Sequence, residues 1–169
     1  MRDDVPHRTD GGVQGMRLPV TVRPMVAGDV DAVLSVQRAA FTVEAQLYDD
    51  PSLPPLLESR DQLIADLDRS HGLVALDGDR VVGSVRVRME GTSLHIARLS
   101  VAPDQQGRGL GTLLLARAES VAAAEEALLF TGHLSASNLR LYARAGYVEQ
   151  RRVRVDERVT LVYLRKQLD

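Results

Sequence analysis

The sequence predicts a single α/β domain built on a mixed sheet, and three observations carry that prediction. Apolar runs of strand length recur along the chain, helical stripes fall between some of them, and the last runs pair around short polar turns. A length of 169 residues suffices for one well-buried core but not for two comfortable domains. Residues 1–18 (MRDDVPHRTDGGVQGMRL) mix charge, glycine and proline without an apolar stretch. They read as a loose tail and not as a signal peptide, which leaves residues 19–169 as the domain.

In chain order, Val20-Thr21-Val22-Arg23-Pro24 is a short strand stopped by proline. Val30, Val33, Leu34 and Phe41 then recur at helical spacing behind Asp29. Thr42 to Leu57 (TVEAQLYDDPSLPPLL) carries three prolines and no sustained period, so it reads as a long irregular segment. Leu63, Ile64 and Leu67 mark a second helix that ends before His71-Gly72. The runs LVAL and RVVGSVRVRM flank Asp77-Gly78-Asp79, which is hairpin chemistry, and Glu90-Gly91-Thr92 turns the chain into SLHIARLSV.

In that third run Leu94 and Ile96 share one face, whereas Leu99 and Val101 have the opposite parity. Either an inserted residue near Ala97 or Arg98 restores both pairs to one core, or the strand is buried on both faces. Leu110, Leu113, Leu114, Ala118, Val121 and Ala122 trace the next helix, and ALLFTGHL is a buried strand. Ser137 is placed to cap NLRLYARA, with Gly146 as its C-terminal stop. YVEQRRVRV and VTLVYLRK close the chain as a hairpin.

Composition narrows the function. A formal net charge of −2 recommends neither nucleic acid nor an anionic membrane as a partner. Absence of cysteine excludes disulfides, thiolate metal sites and a cysteine nucleophile, and fits a reducing cytoplasm. No apolar run is long enough to span a bilayer.

The chemistry concentrates in Leu99–Ala118 (LSVAPDQQGRGLGTLLLARA). A helix that begins just after a glycine-rich turn leaves its first amides unpaired, with the positive end of its dipole behind them, and that arrangement suits a phosphate. Gly107, Gly109 and Gly111 keep side chains away from the backbone, Thr112 adds a hydroxyl, and Arg108 offers a charge. Two nucleotide motifs fail here: Gly111 is followed by Thr112-Leu113 and not by Lys-Ser/Thr, and G-x-G-x-x-G would require glycine where Thr112 stands. A dinucleotide-dependent oxidoreductase is thereby disfavoured.

The string Val101 to Gly111 resembles the acyl-CoA pyrophosphate loop of the GNAT N-acetyltransferase superfamily, whose pattern is Q/R-x-x-G-x-G/A. Gln106, Gly109 and Gly111 occupy its defining places. Asn138, Tyr142, Gly146 and Tyr147 are similar to the family's N-x-x-x-Y-x-x-x-G-[FY] helix. The resemblance covers residues 20 to 165. It implies a mostly antiparallel sheet of six to seven strands, splayed between the fourth and fifth, with about four flanking helices.

It also implies acetyl-CoA as acetyl donor and no metal. Its pantetheine arm would lie along Leu99, Ser100 and Val101, and its pyrophosphate on Gln106 to Thr112, with Leu110 among them. Asn138 and Tyr142 would contact the arm. Direct attack by a primary amine is implied, with Tyr142 as the acid that protonates the leaving thiolate.

Family members often carry a glutamate on the strand before the loop as base; this chain has His95 there, with His133 and Glu44 as rivals. The acceptor would be an amine-bearing small molecule or peptide, met by Glu44, Tyr48 and His133. The acidic segment with Asp49, Asp50 and Glu58 suits a cationic amine. Homodimers are common in the family. A noncatalytic acyl-CoA sensor is the alternative that the same motifs allow.

Overall fold

The computed structural model describes residues 19–169, so the expected tail over residues 1–18 lies outside the described residues. The strands are β1 (Val20–Pro24), β2 (His71–Asp77), β3 (Arg80–Glu90), β4 (Ser93–Val101), β5 (Glu126–Gly132), β6 (Val148–Arg154) and β7 (Thr160–Gln167). The helices are α1 (Val30–Tyr48), α2 (Pro54–Leu57), α3 (Arg60–Leu67), α4 (Leu110–Glu119) and α5 (Ala136–Arg144). One sheet runs in the order β1-β2-β3-β4-β5-β7-β6, antiparallel throughout except for the parallel β4–β5 pair.

The expected irregular segment is helical for its first half. α1 continues to Tyr48 because Ala45 and Tyr48, three residues apart, are both buried, and because the prolines begin only at Pro51. The Tyr48 hydroxyl accepts the Leu134 N–H at 3.0 Å and bonds Ser135 at 3.0 Å, so contacts some ninety residues away hold the last turn. Asp49, at φ 49°, ends the helix. Pro54 then starts the single turn of α2, a fifth helix beyond the four expected, with proline at the first helical position, where its missing N–H is harmless.

The hairpin between β2 and β3 closes on Gly78-Asp79, with Gly78 at φ 60° and Asp77 opposite Arg80. In β4 the inserted-residue reading holds. Arg86 faces Ala97 and Ser84 faces Ser100, so Arg98 and Leu99 together oppose Val85, with Arg98 at φ 56°. Leu94, Ile96, Leu99 and Val101 therefore pack on one core with Val85, Val87, Leu114, Leu115 and Leu129, beneath α4 and α5. On the other face, Val30, Val33, Leu34 and Leu63 pack against Val74, Leu76 and Val81.

α5 starts two residues earlier than expected. Ser135, not Ser137, occupies the capping position, and its hydroxyl reaches across to Glu44 and Tyr48 instead of to the helix's own amides. Gly146 ends the helix at φ 96°, as its place in the sequence indicates.

The pairing that matters most for function is the weakest one. β4 and β5 are joined only through Ser93–His95 and Glu126–Leu128. Beyond those three pairs the strands part, and the β5-facing edge of β4 from Ile96 to Val101 has no strand partner, which is the splay expected between the fourth and fifth strands.

Candidate active site

The loop after β4 is pinned at its front and open at its back. The Ala102 N–H donates to the Val82 carbonyl at 2.8 Å, and Pro103–Gln105 form one 3-10 turn. Arg80 grips Asp104 with two hydrogen bonds of 2.8 and 2.9 Å, and those bonds hold the Asp104 carboxyl well below the usual carboxylate range. Gly107 and Gly109 both lie at φ 78°, where an L side chain is strained, and a Cβ on either would meet no protein atom within 4 Å. These glycines therefore serve backbone conformation and an open approach, not packing. Gly109 caps α4, whose first amides, Leu110 to Thr112, precede the first intrahelical bond from Leu113 to Gly109.

Those amides face a cleft of about 470 Å³. Its walls unite most of the residues named from sequence: Leu99, Ser100, Val101, Gln106, Gly107, Gly109, Leu110, Gly111, Thr112, Asn138 and, from α1, Glu44. Arg108 is not among them; it turns back to Asp77 at 3.1 Å and to Gln105. Tyr142 lies behind the cleft wall, 6% exposed, with its ring edge-on to Tyr147 at 5.9 Å. Burial, and then the charge of Glu44, push its phenol above the ordinary tyrosine value, so it stays protonated through neutral pH.

The remaining candidates scatter. Ser135 links Glu44 to Tyr48, which is itself buried. Nδ1 of His133 accepts the Thr160 N–H at 3.1 Å, and the ring tilts against Tyr48 at 5.7 Å. Neither Tyr48 nor His133 is among the residues lining that cleft. The acidic side chains of the segment after α1 do not gather into one site either: Asp50 caps Ser52, and Glu58 turns inward.

His95 lies on the opposite face of the sheet, in a second cleft of about 380 Å³ that crosses the strands from Arg86 and Arg88 on β3 to Tyr163 on β7 and Arg151 on β6. Its Nε2 stands 3.3 Å from Glu90, and its backbone forms the last β4–β5 pair before the strands part. The second cleft lies on the α1 face, the first passes from α4 and α5 through the splay to the C-terminal half of α1, and the two share β4.

Beside the second cleft lies a network that sequence reasoning missed. Arg86, only 4% exposed, donates to both carboxylate oxygens of Glu58 (2.7 and 3.0 Å), to Asp66 (2.9 Å) and to Gln37 (3.3 Å). Burial pushes the Glu58 carboxyl up, but donation from Arg86 and Gln37 prevails and holds it below its ordinary value. The available signal was an arginine alternating among valines in VVGSVRVRM, which reads equally as an exposed strand face.

Residues 56–168 match the family model described as Acetyltransferase (GNAT) domain. The chain belongs to the GNAT acetyltransferase family. Solved GNAT structures share its fold. PaiA N-acetyltransferase from Thermoplasma acidophilum, in complex with coenzyme A, superposes with a TM-score of 0.73 at 15% identity, over 89% of this chain and 100% of that one. The ribosomal-protein-S18-alanine N-acetyltransferase from Escherichia coli gives 0.72 at 16%, over 88% and 94%. YncA from Salmonella typhimurium, a putative acetyltransferase with its cofactor acetyl-CoA, gives 0.69 at 21%, over 89% and 94%. No curated protein is similar to this GNAT chain at a significant level. Among its described residues no helix is long and apolar enough to cross a membrane.

Proposed function

We propose that this GNAT acetyltransferase transfers the acetyl group of acetyl-CoA to a primary amine by direct attack within a ternary complex. The observation that carries the reading is the splay itself, an unpaired gap between β4 and β5 with free helix-terminal amides on one side and a separate cleft on the other. The amides from Gly107 to Thr112 suit the diphosphate, and the open edge of β4 suits the amides of the pantetheine arm. Asn138, across the cleft, suits the same arm.

The amine nitrogen attacks the thioester carbon from the second cleft. A C–N bond forms, the C–S bond breaks with its electron pair going to sulfur, the nitrogen loses one proton and the sulfur gains one. His95, facing that cleft at the vertex of the gap, takes the amine's proton directly or through water. Tyr142 hydrogen-bonds the departing sulfur and gives it the proton it gains, and the phenol is then reprotonated from solvent. The bulge at Arg98 and Leu99 breaks the ladder beside the gap and supplies a main-chain donor for the developing oxyanion.

A second reading, a binding module without turnover, draws on the position of Tyr142 behind the cleft wall. Thiol release from acetyl-CoA across an amine panel separates the two. The enzyme reading expects turnover, and expects Tyr142→Phe to lower it about a hundredfold with acetyl-CoA affinity within a few-fold of wild type. Acetyl-CoA binding without turnover of any amine establishes the module.

A further inference from the structure

We infer that the acceptor is a free amino acid with an aromatic or apolar side chain, its carboxylate held by Arg151 in the second cleft. This rests on the transferase reading and goes beyond it by naming the acceptor class. The cleft has three arginines on its walls, Arg86, Arg88 and Arg151, and one acid, Asp66. Asp66 is already bound to Arg86 and to the Ser70 hydroxyl, Arg86 is committed to Glu58, and Arg88 pairs with Glu90 at 2.5 Å.

Arg151 alone has no carboxylate partner among the described residues. Its guanidinium is held 4.2 Å above the Tyr163 ring, which fixes its plane and leaves its N–H edge for a planar two-oxygen anion. A cationic amine without an anionic group would meet no free acid here.

The apolar part of the acceptor has its own wall. Phe130 is 51% exposed although it lies on a central strand, and it tilts against Tyr163 at 5.5 Å, so the two rings present an uncovered aromatic surface next to Arg151. A volume of about 380 Å³ accommodates one small molecule. The acidic residues after α1, which from sequence suggested a cationic acceptor, do not line this cleft.

Phenylalanine, phenylalaninamide and phenethylamine, each with saturating acetyl-CoA, test the assignment by thiol release. The amide's less basic amine offers more free nucleophile at neutral pH, which biases the comparison against the proposal. Phenylalanine is expected to show kcat/KM about tenfold or more above both others. Arg151→Gln is expected to bring the three values together through a raised KM for phenylalanine. Arg152→Gln, on the other face of the same strand and paired with Glu149 at 2.7 Å, is expected to keep the preference. Equal or better use of phenethylamine, no use of any of the three by a chain that binds acetyl-CoA, or an unchanged preference in Arg151→Gln overturns the acceptor assignment. Failure to bind acetyl-CoA at all, measured by calorimetry, brings down the transferase reading instead.

Discussion

The two clefts that meet at the gap between β4 and β5 are made of different materials. On the α4 side the unpaired amides that open the helix follow two glycines at positive φ, and Leu99–Thr112 supplies half of the lining residues, the rest coming from α1 and α5. On the other side the groups are side chains from five strands and α3, held in place by a buried charge network around Arg86. A surface built from backbone tolerates side-chain change everywhere except at its glycines. One built from charged side chains depends on each partner. That contrast suits a constant donor on the first side and a chain-specific acceptor on the second.

Removing a partner on the second side is expected to have the largest effect. Glu58→Gln keeps the shape but leaves the buried Arg86 with Asp66 as its one carboxylate partner, which is expected to cost about 3 kcal/mol of stability, measured by denaturant unfolding. The sign with pH follows from the depressed Glu58 carboxyl: its contribution is present above the ordinary carboxylate range and is lost as pH falls through the lowered folded-state value. The variant is therefore expected to lose less stability on acidification than wild type. Acetyl-CoA affinity of the folded variant is expected to stay within a few-fold; a larger loss would break the division between the two sides.

The hundredfold fall in turnover expected for Tyr142→Phe is next, and it falls on the gap where the sides join. The smallest effect on stability belongs to the first side. Gly109→Ala, at φ 78° and free of any clash, is expected to cost about 1 kcal/mol of stability. Its new Cβ points into open space at the helix N-terminus, so calorimetry is expected to show acetyl-CoA binding weakened by about tenfold. Unchanged binding would mean that this turn is only a strand-to-helix junction.

The same contrast explains what could be read from the sequence. The glycine turn, the two hairpins at Gly78 and Gly91, the phase switch near Arg98 and the stop at Gly146 are local chemistry, and each stands where the residues indicated. What escaped is set by residues far apart in the chain. The last turn of α1 is fixed by Tyr48 reaching Leu134 and Ser135, and Ser135 is drawn away from capping its own helix by Glu44. Nothing near Arg86 in sequence announces Glu58 or Gln37, and Phe130 and Tyr163 become neighbours only through the β5–β7 register.

The most direct measurement is a crystal structure of the chain soaked with coenzyme A. Diphosphate oxygens are expected within hydrogen-bond distance of the amides between Gly107 and Thr112, with the thiol at the gap beyond His95 and Leu128. A diphosphate bound anywhere else, or an arm that does not follow the open edge of β4, would contradict this binding mode.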